Sequence, residues 1–282
     1  DLYLDGVDIT CTVAPAIIFY NVYECGDKDN PTKDVDTTAA GANVWLMDFS
    51  ENFVNGSYVA RIYKPESVVL NEDGTEVEEA KKLHKYDGAF YSKMSMNIGT
   101  PEGGNGSGIL RIDAENEGLD SEMHLTIDGG EIYIESGNDG INTNEDGVSV
   151  TTVNAGFLRI DVAGTTGEGD GIDSNGSVVI NGGWVEAYAC ADSMDSGIDA
   201  DLGIRINGGT VIATGNMLDR IEDGGQTHAV FSFAQQQKAP YFTLKDMYAS
   251  TVIEGQTPCA FSQLLFSCPE LSEGTYTLWS GE

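Results

Sequence analysis

The side chains best placed to do chemistry are oxygens that return at a fixed phase. Four short turns follow one another along the chain: Glu117-Gly118-Leu119-Asp120, Asp139-Gly140-Ile141-Asn142, Asp170-Gly171-Ile172-Asp173 and Ser196-Gly197-Ile198-Asp199. Between Asp113 and Asp201 twenty acidic side chains face one arginine, Arg159, and the whole chain carries a formal charge of -32. If these turns stack, equivalent residues lie about 4.8 Å apart, and Asp120, Asn142, Asp173 and Asp199 form a column of like charges. Divalent cations relieve such a column, and clustered hard oxygens of mixed type suit Ca²⁺. The expected central ligands are Asp139, Asn142, Asp170 and Asp173, with Glu117, Asp120, Glu122, Glu145, Asp146, Asp195 and Asp199 around them. The competing reading is a solvated acidic surface with no bound ion.

Something must hold those turns in phase. A second motif supplies the spacing: Ile127-Asp128-Gly129-Gly130, Val153-Asn154-Ala155-Gly156, Ile180-Asn181-Gly182-Gly183 and Ile206-Asn207-Gly208-Gly209 recur at intervals of 26, 27 and 26 residues. Two motifs in fixed order at a period in the twenties, with β-branched runs and no helical periodicity, point to stacked coils. Alternating segments such as Glu131-Ile132-Tyr133-Ile134-Glu135 have the parity of strands with one face on a core. The expectation is an all-β parallel β-helix with one coil per repeat, since the fixed leucines of a leucine-rich repeat are missing. It spans residues 1–215, with surface insertions near 26–41 and 58–86, and residues 216–282 form a C-terminal β cap. Within the insertion, Glu76 to Leu83 reads as helix-like. Asp87-Gly88-Ala89-Phe90 reads as a degenerate first repeat with Phe90 where later copies carry Asp or Asn. Asn154, Asn181 and Asn207 are expected to stack as an amide ladder.

Outward columns follow from the same phase. One holds Glu131, Phe157, Trp184 and Thr210, with Tyr188 close by; its neighbour holds Tyr133, Arg159, Glu186 and Ile212. Exposed aromatics on a flat sheet can lie against the apolar faces of pyranose rings, so Trp184, Phe157, Tyr133, Tyr188 and Arg159 are the candidate carbohydrate-binding residues. The alternative is that the cap or the insertion covers them. Arg159 either holds Glu186 or meets a sugar carboxylate.

Other classes are poorly served. A polyanion binder needs a basic footprint, so nucleic acid is no easy partner, and no apolar run approaches a membrane span. Nothing at the start reads as a signal peptide, as in a mature secreted chain. His84, His124 and His228 lack metal spacing, and His124 reads as a surface residue. Of five cysteines, Cys11 with Cys25 and Cys259 with Cys268 could pair locally in an oxidising compartment, and Cys190 reads as a rung residue.

The strings LYLDGVDIT, NVWLMDF and DGAFYSKMSMNI, the DGIN and DGIDSNG turns, the NGG turns, and Ser267-Cys268-Pro269-Glu270-Leu271 followed by Gly274-Thr275-Tyr276-Thr277 carry a family likeness. In these the chain resembles a bacterial secreted carbohydrate-binding β-helix family that is similar to polysaccharide lyases. The resemblance implies a right-handed parallel β-helix, bound Ca²⁺, an extracellular location, and binding of cellulose and acidic sugars such as polygalacturonate from plant cell walls, without established catalysis. A calcium-dependent lyase is the alternative, and it needs a Lys or Arg base. From Met94 to Gln237 there is no lysine, which leaves Lys93 as the candidate. A cell-surface scaffold with purely structural metal is the third reading.

Overall fold

The computed structural model describes residues 1–21, 41–59, 62–238 and 241–281. Cys25 and nearly all of the 26–41 insertion lie outside them. The chain is all-β, and its only helical turn among the described residues is a 3-10 turn at Pro65–Ser67.

Successive strands go to three different sheets in rotation. Glu117–Ser121 joins a five-stranded sheet, Leu125–Ile127 a seven-stranded sheet and Glu131–Ser136 a nine-stranded sheet, before Ile141–Thr143 returns to the first. Each return pairs in parallel with the strand one repeat earlier, without slippage: Glu131, Phe157, Trp184 and Thr210 are direct partners in turn. Alternation fixes that register, because a one-residue slip would turn every apolar side chain outward. Leu110, Ile132, Leu158, Val185 and Val211 line up on the inner face of the nine-stranded sheet. They join Leu119, Ile141 and Ile172 of the five-stranded sheet and Ile127, Val153, Ile180 and Ile206 of the seven-stranded sheet in one buried cluster.

The Gly-Gly turns need glycine for two reasons. Gly183 sits at φ +78°, and a Cβ there would lie 2.7 Å from the carbonyl oxygen of Gly156 in the preceding turn. Beside these turns the amide ladder forms as expected, with Asn207 Nδ2 donating to Asn181 Oδ1 at 2.7 Å and Asn181 Nδ2 to Asn154 Oδ1 at 2.8 Å.

After two isolated parallel bridges, Ser196 with Met217 and Ile204 with Ile221, the pairing changes sense. Phe261–Ser267 adds antiparallel to Thr210–Gly215, and His228–Gln237 adds antiparallel to it in turn. This covers an edge that would otherwise stay open. A three-stranded antiparallel sheet, Thr251–Gln256, Tyr241–Lys245 and Thr277–Gly281, follows. A second apolar cluster around Phe242, Leu264 and Phe266 takes in Tyr188 and Ile212.

Several expectations are corrected. Glu76–Leu83 is not helical: Val77–Glu79 pairs antiparallel with Val69–Leu70 around a turn in which Asn71 Oδ1 accepts the Thr75 and Glu76 N–H groups. With Val77 and Leu83 both exposed, that run has no apolar stripe to bury as a helix. Phe90 stands opposite Leu119 in the core, and it is Tyr91 that occupies the position of Asp120. His124 is buried and its Nδ1 accepts the Val150 N–H at 3.1 Å, because the bend before Leu125 turns it inward. Cys259 and Cys268 are free thiols, Cys259 donating to the Ala189 carbonyl at 3.2 Å. Cys190 is buried in the main core as expected.

Candidate functional site

The acidic column is real in its register. Asp120 pairs with Asn142 and Asn142 with Asp173, while a further bridge between Ile172 and Ile198 brings Asp199 beside them. Asp170, Asp173 and Asp199 each offer an oxygen within 4.8 Å of the others. One column over, the carboxylates hold the backbone of the next repeat. Asp139 Oδ1 accepts the Asp170 N–H at 2.7 Å and Asp170 Oδ1 accepts the Ser196 N–H at 2.6 Å. Asp195 reaches the other way, accepting the Gly169 N–H of the preceding repeat at 2.6 Å.

Burial and mutual repulsion oppose ionisation here. Burial, with the charges of Asp195, Glu168 and Asp199, pushes Asp139 up to about 7. Burial, with Asp139, Asp173 and Asp195, pushes Asp170 to about 9. Asp173 rises to about 7 by burial and by Asp139, Asp199 and Asp201. Glu117 and Asp120, wholly enclosed, are raised well above the carboxylate range, chiefly by burial. Within the acidic turns, Asn142 Oδ1, Glu117 Oε2 and Ser196 Oγ are buried oxygens without a hydrogen-bond partner. The Asn142 amide donates to Glu117 Oε1 at 3.2 Å, which orients both groups. Leaving such oxygens unsatisfied costs about 1–3 kcal/mol each, and a cation would satisfy them.

The remaining expected ligands divide. Asp120 accepts from Asn144 Nδ2 at 2.7 Å and from the Asp87 N–H at 3.3 Å, and Glu122 accepts from the Tyr91 hydroxyl at 3.1 Å. Glu145 and Asp146 stand exposed on a turn, with Asp146 accepting from Asn175 Nδ2 at 3.0 Å, and so do not join the buried group. Three participants were missed. Asn144 shares the parity of Asn142 and was legible, and Asp87 heads the degenerate first repeat; Asp219, which accepts the Ala200 N–H at 2.9 Å beside Asp199, lies outside the repeated turns, where no spacing marks it. Lys93 forms no ion pair with these acids among the described residues; its Nζ lies 4.7 Å from the centre of the Tyr20 ring. The lysine that reaches them is Lys82, paired with Asp87 at 2.5 Å.

The outer face of the nine-stranded sheet carries a different constellation. Phe53, Arg111, Tyr133 and Arg159 are consecutive register partners, and they form one side of a groove of about 570 Å³ with Asn55, Asp113, Glu135 and Asp161 along the other. The Arg111 guanidinium lies 4.4 Å from the centre of the Tyr133 ring, and Phe157 packs against Tyr133 at 5.4 Å. Charges pair sideways: Arg111 with Glu51 at 2.6 Å, and Arg159 with Asp161 at 3.0 Å and Glu186 at 2.9 Å.

A family model described as carbohydrate-binding domain-containing protein matches residues 1–229. The chain belongs to this carbohydrate-binding domain family. Neither the curated proteins nor the solved structures contain a match. The matched span takes in both the acidic column and the groove of this carbohydrate-binding chain.

The expected aromatic platform is only partly assembled. Tyr133 and Arg159 line the groove with Phe157 behind Tyr133. Phe53 was missed because its strand departs from the repeat, and Arg111 was missed although Leu110-Arg111-Ile112-Asp113 recurs as Leu158-Arg159-Ile160-Asp161. Tyr188 is fully buried, since Phe242, Phe261 and their neighbours from the C-terminal region pack over it. Trp184 remains 38% exposed, its Nε1 donating to Glu186 at 2.8 Å, but it faces a separate cleft walled by Thr251, Val252 and Ile253.

Proposed function

We propose that this member of the carbohydrate-binding domain family is a secreted, noncatalytic polysaccharide-binding protein for plant cell-wall glycans, both cellulose and acidic sugars such as polygalacturonate. In this reading the three parallel sheets are the faces of a right-handed β-helix over residues 1–215, with residues 216–282 as its cap. The in-register row Phe53, Arg111, Tyr133 and Arg159 in one open groove carries it.

The chemistry of that row suits a sugar chain. Pyranose rings present apolar C–H faces that lie against the Tyr133 and Phe53 rings, and guanidinium groups have five N–H donors for hydroxyls or carboxylates. Each arginine here spends one or two of them on its neighbours. The pairs also hold the donors in place, so less side-chain freedom is lost when a ligand arrives.

Calcium is the second part of the proposal. Asp170, Asp173, Asp199 and Asn142 Oδ1 would hold an ion, with Glu117, Asp120 and Asp139 close by. Their fit rests on the carboxylate cluster and on the unsatisfied buried oxygens. A bound Ca²⁺ would supply positive charge and flexible coordination to a surface that otherwise repels uronates.

The test is binding of cello-oligosaccharides and polygalacturonate to wild type, Phe53→Ala and Tyr133→Ala, each with Ca²⁺ and with chelator. Tyr133→Ala is expected to weaken glycan binding about tenfold, as base-free stacking losses of about 1.4 kcal/mol do, with little change in Tm. Unaltered affinity in both variants would remove the groove from the proposal. A Tm that responds to Ca²⁺ in a protein that binds no glycan would favour the metal-stabilised scaffold.

A further inference from the structure

A cleft of this acidic chain is walled by lysines. Lys64, Lys81, Lys82 and Lys85 line a cavity of about 580 Å³, with Asp87 and Asn144 on the wall that belongs to the five-stranded sheet. The chain has nine lysines in 282 residues, so four around one space is a strong local departure from a net charge of -32.

Backbone pairing puts two of them side by side. Tyr63 and Lys82 form an antiparallel bridge, and the Lys64 N–H donates to the Lys81 carbonyl at 2.9 Å, which sets Lys64 directly across from Lys81. Like charges in that relation destabilise the pairing. The relief available from the protein is slight: Asp87 is taken by Lys82 at 2.5 Å, and among the described residues Lys64, Lys81 and Lys85 have no ion-pair partner. The nearby carboxylate of Asp120 is enclosed and bound by Asn144 Nδ2. Three ammonium groups thus converge on solvent beside an acidic sheet that they do not neutralise.

We infer that this cleft is an anion subsite for the carboxylate of a uronate-containing oligosaccharide, separate from the aromatic groove and independent of any cation. It rests on the carbohydrate-binding reading for the class of ligand. Lysines suit this role as compact charges with rotatable donors, and Asn144 adds an amide for a neighbouring hydroxyl. The lysines are exposed apart from Lys82, so the subsite contributes attraction and selectivity more than tight binding, and salt screens it. A neutral glucan gains nothing from it.

The experiment titrates the whole chain with trigalacturonate and with cellotetraose in chelator, at low and at physiological salt, for wild type and for Lys64→Gln/Lys81→Gln/Lys85→Gln. Lys82 is kept so that Asp87 stays paired, and unchanged Tm confirms the variant is folded. The expected result is that wild type binds trigalacturonate without metal, that affinity falls about tenfold or more in the variant and with added salt, and that cellotetraose binding is the same in both. Failure of wild type to bind trigalacturonate in chelator, or equal binding by the variant, overturns the subsite. If cellotetraose still binds, only the subsite has failed. If wild type binds neither sugar, with or without Ca²⁺, the carbohydrate-binding reading fails with it.

Discussion

The five-stranded and nine-stranded sheets share one backbone plan and treat charge in opposite ways. On the nine-stranded sheet each arginine meets carboxylates of its own or a neighbouring strand, Arg111 with Glu51 and Arg159 with Asp161 and Glu186. That face gives its arginines carboxylate partners and offers aromatic surface, while Asp113 and Glu135 add further negative charge along it. On the five-stranded sheet Asp120, Asn142, Asp173 and Asp199 succeed one another with carboxylate near carboxylate. Backbone N–H groups and the Asn142 and Asn144 amides answer part of that charge without neutralising it, so this face is eased by protons or a cation. Parallel stacking therefore repeats whatever the sequence repeats, and only alternation of sign makes such a column self-sufficient.

The largest test concerns how each sheet is held. A Cβ on Gly140 would collide with Ile160 and with the Gly171 carbonyl oxygen of the next repeat, so the acidic turns stack by direct backbone contact. Gly140→Ala is expected to cost about 3 kcal/mol or to prevent folding, measured by urea denaturation. A loss under about 1 kcal/mol would mean that the acidic turns are not held by close stacking.

The second test separates the faces by pH. The acids have folded pKa values above their unfolded ones, so the folded state holds protons that the unfolded chain releases earlier. Their contribution to stability is complete below the unfolded range near about 4 and is lost as pH rises through about 7 for Asp139 and Asp173 and about 9 for Asp170. In chelator, Tm is expected to fall by roughly 5–10 °C between about pH 5 and about pH 9, and Ca²⁺ to restore it. Asp173→Asn should flatten that slope and blunt the response to Ca²⁺. A metal-free Tm independent of pH would erase the contrast between the sheets.

The smallest effect is expected on the paired face. Arg159→Ala leaves Asp161 and Glu186 half-buried without their cation and should cost about 1–2 kcal/mol, with the loss insensitive to Ca²⁺. Stability restored by Ca²⁺ in this variant would show that the two faces are not electrostatically separate.

Much of this was written in the chain. The interval between the Gly-Gly turns and the parity of Glu131 to Glu135 define strands and their phase, because side chains alternate strictly along a strand and identical turns cannot drift in length. The amide ladder and the order of Asp120, Asn142 and Asp173 follow from that phase alone. Legibility failed where the repeat did. Phe53 sits on a strand without the motif, Asn142 gave no sign of an unsatisfied Oδ1, and Lys82 reaches Asp87 from a segment with no periodic signal.

By itself, then, the sequence determined which residues share a column, since periodicity is a local property of spacing. Only the tertiary structure decided which columns remain open. The C-terminal strands cover Tyr188 and leave Tyr133 in a groove, and the 62–86 segment brings its lysines to the acidic sheet. Both depend on contacts between segments far apart in the chain, where burial and charge are set by what packs on top and not by the phase beneath.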